Sequence, residues 1–101
     1  MVNVVKRIDI VTSALNEEFC IRELYSRINS VMKNFPNYSW RLIICDNGSQ
    51  DNTWKLIQEM SFLDSRILGV KLSKTFPLDS AYTCRLDLAT GDAAIIMASD
   101  L

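Results

Sequence analysis

Apolar segments alternate with helical patterns along this chain, and the alternation constrains its fold more than any other feature. Four segments rich in β-branched residues predict strands at residues 8–12, 40–45, 66–72 and 93–98. The fourth segment carries no charge, and short continuous apolar runs are typical of strands buried on both faces of a parallel sheet. The third segment alternates more between apolar and polar residues, which favours a position nearer the sheet edge.

Three helical patterns separate these strands. Asn16 is a candidate N-cap for the first helix, with Glu17 and Glu18 near its positive end. Asp51 is a candidate cap for the second helix, and the third pattern covers residues 78–89. The expected apolar faces are Ile21, Leu24, Ile28, Val31 and Phe35 in the first helix, and Trp54, Ile57 and Met60 in the second.

The resulting order, β-α-β-α-β-α-β, predicts an α/β fold with right-handed crossovers and helices on both faces of a mostly parallel sheet of about four strands. The 101 residues suffice for one domain, and a 49% apolar, 23% charged composition excludes extended disorder. A net charge of −1 disfavours a nucleic-acid partner. No apolar run approaches the ~20 residues of a membrane-spanning helix.

Cysteine and histidine usage excludes two classes of site. Cys20, Cys45 and Cys84 form no CxxC pair and the chain has no histidine, so a structural zinc site of the usual spacing is ruled out. A histidine general base within these residues is ruled out as well. Three widely spaced cysteines without a signal peptide indicate reduced thiols, so we expect a cytoplasmic location.

Polar residues follow the predicted strands, at the sheet edge where open parallel sheets bind ligands. They occupy residues 13–18, 46–51 and 73–75, and Asp100 follows the fourth strand. Neither GxGxxG nor GxxxxGK[ST] is present, and two glutamates in the first loop would repel a bare pyrophosphate. A cation would have to bridge phosphates to the protein, and Asp100 is the best candidate ligand.

Five segments, in order, resemble family 2 glycosyltransferases. Residues 16–18 follow the first strand as in that family, and residues 46–53 resemble its D-D-G-S-x-D-x-T segment. Residues 73–76 occupy the place of its basic-Asn-Phe-Gly stretch, 89–92 resemble A-x-G-D, and 97–101 resemble the start of D-x-D-L-Q. The greatest resemblance is to the branch with dolichyl-phosphate mannosyltransferases and bacterial polyprenyl-phosphate sugar transferases. It implies the GT-A fold, a three-layer α/β/α Rossmann-like architecture.

The resemblance implies a nucleotide-sugar site. Asp46 would accept a hydrogen bond from the nucleotide base, and Lys74 would contact phosphate or base. Asp100 would ligate Mg²⁺ or Mn²⁺ on the diphosphate, although Ala98 stands where the motif's first aspartate is usual, and Asn47 replaces a second aspartate. The nucleotide-binding candidates are Ser13, Leu15, Glu17, Asp46, Asn47 and Lys74.

The implied reaction is inverting sugar transfer from a UDP-, GDP- or dTDP-sugar to a polyprenyl phosphate or a saccharide. No candidate general base is present, so we expect residues 1–101 to be the nucleotide-sugar-binding N-terminal part of a truncated GT-A domain, inactive alone. We expect membrane association only through a later region, at the cytoplasmic face of the membrane.

Alternatives from the residues alone remain open. Asn16 and Asp51 can be helix caps, Asp46 a turn residue and Asp100 an ordinary loop residue. A receiver-like binding module also gathers acidic residues at strand ends, but it usually has an aspartate after the third strand, where Ser73 stands here. A sugar-phosphate nucleotidyltransferase shares the layout, but its first loop is rich in glycine and carries arginine.

Overall fold

The elements of the fold alternate as the sequence predicts. The computed structural model describes residues 6–72 and 88–97. Within these ranges the elements are β1 (Lys6–Ala14), α1 (Ile21–Met32), β2 (Tyr38–Asp46), α2 (Thr53–Leu63), β3 (Ile67–Lys71) and β4 (Ala93–Ile96). The predicted third helix, residues 78–89, lies outside the described residues apart from its last two.

The four strands form one parallel sheet in the order β3-β2-β1-β4. Ile10 pairs with Leu42 of β2 on one side and with Ile95 of β4 on the other. The chain therefore steps in one direction from β1 to β3 and then returns to the opposite side of β1. Ligands of open α/β sheets bind beyond the carboxyl ends of the strands at such a reversal, so this topology places the candidate site after β1.

Helices α1 and α2 pack on the same face of the sheet. Both crossovers run in the same direction across the sheet, and right-handed crossovers then place their helices on one side. The core of this face consists of Ile10, Ala14, Ile21, Leu24, Ile28, Trp40, Leu42, Ile44, Ile57, Met60 and Ile67. On the opposite face Val11, Ile43 and Cys45 pack against Leu68 and Val70 of the neighbouring strand β3 and against Leu88 and Ala89. The α/β class and the parallel sheet are confirmed.

The first helix differs from its prediction at both ends. It begins at Ile21, because Glu17 closes a turn in which its carbonyl accepts the N–H groups of Cys20 and Ile21, both at 3.0 Å. Asn16 is therefore not the cap. Phe35 lies beyond the last helical residue and is 50% exposed, so it does not extend the apolar face of α1 as its spacing predicts.

The prediction that the fourth strand is buried on both faces is wrong for the part that the structure describes. All four residues of β4 are exposed, including Ile95 and Ile96. Within the described ranges β4 pairs only with β1, and an open apolar groove separates it from α1. Neither α1 nor α2 is long and apolar enough to cross a bilayer.

An ionic cluster joins β1 to the segment before β4. The Asp9 side chain is fully buried, and its two oxygens lie 2.9 Å from Arg7 Nε and 3.4 Å from an Arg41 amino group. Gly91 donates its N–H to Asp9 Oδ2 at 2.7 Å. Asp92 and Arg7 exchange two further hydrogen bonds of 2.8 Å, which fix the start of β4 beside β1.

A second cluster lies at the amino end of β2. Asp64 accepts hydrogen bonds from Arg66 at 2.7 Å and from the Tyr25 hydroxyl at 2.5 Å. The Arg66 guanidinium also lies over the Trp40 ring, 4.2 Å from its centroid. Hydrogen bonds from Arg66 hold the pKa of Asp64 well below its usual range, although burial opposes the shift.

Candidate functional site

The candidate site lies where β1 and β2 end side by side. Ala14 pairs with Asp46 at this edge. The first loop (residues 15–20) follows β1, and the second loop (residues 47–52) follows β2. Ser13, Asp46 and Asn47 are buried here. These polar side chains at the carboxyl ends of β1 and β2 are therefore shielded from solvent. Their hydrogen-bonding groups determine which ligand the site can bind.

Asp46 is a fully buried carboxylate that the described residues satisfy only in part. Its Oδ1 accepts the Ser49 N–H at 3.3 Å, whereas its Oδ2 has no hydrogen-bond partner among the described residues. The Asp46 main chain is fixed, because its carbonyl accepts the N–H of Leu72 at 3.0 Å. An unpaired buried acceptor is costly in free energy, so Oδ2 fits a ligand that brings an N–H donor.

A reciprocal pair of hydrogen bonds ties the two loops together. Asn16 donates its N–H to Ser49 Oγ at 2.9 Å, and its own Oδ1 accepts the N–H of Gln50 at 2.8 Å. Asn16 has a φ of 53°, a left-handed conformation that asparagine tolerates better than most residues. Gly48 turns the second loop with a φ of 90°. Asn16 thus joins the loops, where the sequence predicts a helix cap.

The start of α2 adds two more bonds between the loops. Glu17 donates its N–H to Thr53 Oγ1 at 2.8 Å, and Glu18 donates its N–H to Asp51 Oδ2 at 3.4 Å. Asp51 Oδ1 accepts the N–H of Thr53 at 2.9 Å, as expected of a capping side chain, although Asn52 occupies the N-cap position itself. Burial raises the pKa of Asp51, but the hydrogen bonds from Thr53 and Glu18 outweigh it and lower the pKa overall.

These bonds limit where a phosphate can sit. Three successive first-loop N–H groups, those of Asn16, Glu17 and Glu18, point to side chains of the second loop and α2. In dinucleotide-binding folds the amides after the first strand hold the pyrophosphate. Here they are already engaged, and two glutamates stand beside them, so the first loop is unsuited to cradle a bare diphosphate.

The structure brings most of the predicted nucleotide-binding residues to one edge. The predicted residues found there are Ser13, Leu15, Glu17, Asp46 and Asn47. Lys74 and Asp100 lie outside the described residues, and the described ranges contain no group of three acidic or cysteine side chains that could hold a metal. The metal site therefore stays a prediction. Sequence reasoning missed the roles of Ser49 and Thr53, although both belong to the recognised D-D-G-S-x-D-x-T pattern.

A protein-family model matches most of the chain. Residues 9–101 match the model described as "Glycosyl transferase family 2". The chain belongs to this family. Family membership confirms the resemblance found in the motifs, and it decides against a receiver-like module and against a sugar-phosphate nucleotidyltransferase.

Curated relatives of this family 2 chain are glycosyltransferases. It is 32% identical to the glycosyltransferase YkcC of Bacillus subtilis (strain 168), over 91% of this chain and 28% of that protein. It is 26% identical to an undecaprenyl-phosphate 4-deoxy-4-formamido-L-arabinose transferase of Aeromonas hydrophila, over 96% of this chain and 30% of that protein. It is also 26% identical to a dolichol-phosphate mannosyltransferase of Pyrococcus furiosus, over 94% of this chain and 26% of that protein. The chain spans less than a third of each relative.

Solved structures of glycosyltransferases share the fold. The mannosyltransferase PcManGT from Pyrobaculum calidifontis, in complex with GDP-Man and Mn²⁺, superposes with a TM-score of 0.80 at 18% identity, over 96% of this chain and 28% of that one. TarS 1–349 of S. aureus in complex with UDP gives a TM-score of 0.72 at 20% identity, over 93% and 27%. The GT-A fold predicted for this family 2 chain is therefore confirmed.

Proposed function

We propose that this chain forms the nucleotide-sugar-binding part of an inverting, metal-dependent glycosyltransferase. The observation that carries the proposal is Asp46, a carboxylate buried at the end of a central strand with its Oδ2 unpaired among the described residues. A folded chain tolerates such a group where a ligand completes its hydrogen bonds. The strand-order reversal at β1 supports the same location for the ligand.

Asp46 restricts the base of the nucleotide. A carboxylate accepts hydrogen bonds, and uracil, thymine and guanine each carry a ring N–H beside a carbonyl. Cytosine and adenine present an unprotonated ring nitrogen at the corresponding position. We therefore propose a UDP-, GDP- or dTDP-sugar as donor. The GDP-Man and UDP bound in structural neighbours support this choice of nucleotides.

The proposed diphosphate site involves a divalent cation. The engaged amides of the first loop and the two glutamates beside them support a bridging Mg²⁺ or Mn²⁺. Asp100 would hold this cation, and Lys74 would contact phosphate or base. When bound, such a cation offsets the charge that develops on the leaving nucleoside diphosphate. Mn²⁺ accompanies GDP-Man in the Pyrobaculum enzyme.

The proposed acceptor is a polyprenyl phosphate or a saccharide. Relatives named as undecaprenyl-phosphate and dolichol-phosphate sugar transferases support the lipid phosphate. A hydroxyl acceptor needs a general base, which an ionised phosphate does not. Residues 1–101 offer no candidate base and no histidine, so we propose that they transfer no sugar alone. The whole protein would act in the cytoplasm, at the membrane face where a lipid acceptor resides.

Calorimetry on the whole protein tests the proposal. With Mn²⁺ present, we expect binding of at least one of UDP, GDP and dTDP, and weaker binding of CDP and ADP. Asp46→Asn should weaken the preferred nucleotide about tenfold or more, because it removes a charged hydrogen-bond acceptor. Asp92→Asn, an exposed carboxylate at the other end of the sheet, is the matched control and should bind normally. Absence of binding to all three nucleotides by the whole protein contradicts the proposal.

A further inference from the structure

We propose that Asn16 and Ser49 are positioning residues that determine which oxygen of Asp46 faces the nucleotide base. The inference deepens the proposed function and rests on it. Neither side chain needs to touch the ligand. Both act on Asp46 through a chain of hydrogen bonds that runs from the first loop to the second.

Ser49 is the central link of this chain. Its Oγ accepts the N–H of Asn16 at 2.9 Å, and its own N–H points to Asp46 Oδ1 at 3.3 Å. One residue therefore holds the first loop with its side chain and one oxygen of the buried carboxylate with its main chain. Asp46 Oδ2 is left without a partner among the residues that the structure describes. The carboxylate thus has one oxygen turned to the protein and one kept for a ligand.

Asn16 meets two requirements that few residues combine. Its φ of 53° lies in the left-handed region, which a side chain with a β-carbon rarely adopts. Its Oδ1 accepts the N–H of Gln50 at 2.8 Å and so closes the reciprocal pair with the second loop. Glycine would adopt the conformation without the acceptor, and alanine would supply neither. Helix capping does not account for Asn16, because α1 begins at Ile21.

The loop contacts through α2 make the Asn16–Ser49 link separable from folding. Glu17 and Glu18 retain their own bonds to Thr53 and Asp51 when the link is removed. The loops should therefore stay together while Ser49 shifts. A shift of Ser49 frees Oδ1 of Asp46, so the carboxylate can rotate and the base loses a fixed acceptor. The expected result is weaker binding and weaker discrimination between bases, with little change in the fold.

The test compares variants of the whole protein by calorimetry with UDP, CDP, GDP and ADP in the presence of Mn²⁺. Asn16→Gly keeps the left-handed conformation and removes the Oδ1 acceptor, and Ser49→Ala removes the Oγ acceptor. We expect each to weaken the preferred nucleotide about fivefold, the effect of one lost hydrogen bond. Each should also lower the preference for UDP over CDP, or for GDP over ADP. Ser49→Thr keeps a hydroxyl and should bind within about twofold of the wild type.

Two controls separate positioning from a general loss of stability. Asn34→Gly changes an exposed asparagine in the turn after α1 and should leave binding unchanged. Asp64→Asn weakens the cluster at the amino end of β2, so it should lower the melting temperature without changing affinity. The inference is overturned when Asn16→Gly and Ser49→Ala keep the wild-type affinity and base preference. It is also overturned when a lower melting temperature alone explains their loss of affinity. In that case Asp64→Asn, which lowers the melting temperature as well, would also lose affinity.

These outcomes are distinct from failure of the proposed function. A wild-type protein that binds none of the nucleotides removes the function and the inference together. A wild-type protein that binds, with Asp46→Asn defective and the two loop variants normal, leaves the function standing and removes only the inference.

Discussion

Two buried aspartates on neighbouring strands differ in how the chain satisfies them. Asp9 lies in the first half of β1, where Arg7, Arg41 and the Gly91 N–H meet its two oxygens. Asp46 lies at the end of β2, where only Oδ1 has a partner among the described residues. Both side chains are fully buried. Each also has one oxygen without a hydrogen-bond partner among the described residues, Oδ1 in Asp9 and Oδ2 in Asp46, so the two carboxylates differ in the ion pairs that only Asp9 forms.

The same contrast holds between the two ends of the sheet. At the amino end Asp64 is paired with Arg66 and Tyr25, as Asp9 is with its arginines. At the carboxyl end Asp46 and Asp51 accept hydrogen bonds from N–H groups, and Asp51 also accepts one from the Thr53 hydroxyl, but neither forms an ion pair among the described residues. Asp9 and Asp64 near the amino end are thus paired with arginines, whereas Asp46 and Asp51 at the carboxyl end have no arginine or lysine partner among the described residues.

The largest effect on stability is expected at Asp9. Asp9→Asn should lower the free energy of unfolding by about 3 kcal/mol, because it leaves two partly buried guanidinium groups without their carboxylate. Urea unfolding followed by circular dichroism measures this change. Nucleotide affinity of the folded variant should stay at the wild-type value, because the cluster lies at the opposite end of β1 from Asp46.

A surface pair supplies the control for Asp9. Glu23 and Arg27 form an exposed i,i+4 pair at 2.9 Å on α1, and Glu23→Gln should change stability by less than about 0.5 kcal/mol. Equal losses of stability in Asp9→Asn and Glu23→Gln would show that burial does not increase the contribution of the Asp9 ion pairs. A loss of nucleotide affinity in folded Asp9→Asn would contradict the expectation that the amino end of the sheet acts in stability and not in nucleotide binding.

The next effect is expected at Gly91, which lies against the Asp9 cluster. A Cβ at this position would lie 2.7 Å from the Arg7 carbonyl oxygen and 3.1 Å from Asp9 Cγ. Gly91→Ala should therefore lower the free energy of unfolding by about 2 kcal/mol, since the main chain would have to move. Urea unfolding measures it, with Thr90→Ala as the neighbouring control at about 1 kcal/mol or less. An unchanged unfolding midpoint for Gly91→Ala would show that the β1–β4 contact is loose.

Sequence patterns predict the elements and the strand ends at which the candidate residues lie, and they fail where distant residues decide local structure. The alternation of apolar segments predicted the parallel sheet and the edge that carries Asp46. Asn16 is a candidate helix cap in the sequence, because a polar residue before an apolar pattern is typical of one. Its actual partners, Ser49 and Gln50, lie more than thirty residues away. The burial of Asp9 depends equally on Arg41 and Gly91, which no local pattern links to it.

An acid-dependent effect of intermediate size is expected at Asp64. Hydrogen bonds from Arg66 lower its pKa in the folded state, so its contribution to stability is complete above the usual aspartate range and is lost as pH falls. Asp64→Asn should cost about 1 to 2 kcal/mol at pH 7, because Arg66 is partly exposed and solvent screens the pair. Unfolding measured from pH 7 to pH 2 should show a shallower decline for the variant. Parallel curves for both proteins would contradict the assignment.

Among the aspartate substitutions at Asp9, Asp64 and Asp46, the smallest effect on stability is expected at Asp46, and it tests the comparison most directly. Asp46→Asn removes a charge that the described residues do not pair and keeps nearly the same shape, so the free energy of unfolding should change by less than about 1 kcal/mol. Asp9→Asn is the matched variant, the same substitution at an equally buried aspartate. A loss at Asp46 as large as that at Asp9 would mean that its carboxylate stabilises the fold. A small loss of stability together with weakened nucleotide binding would show that the Asp46 carboxylate serves ligand binding and not folding.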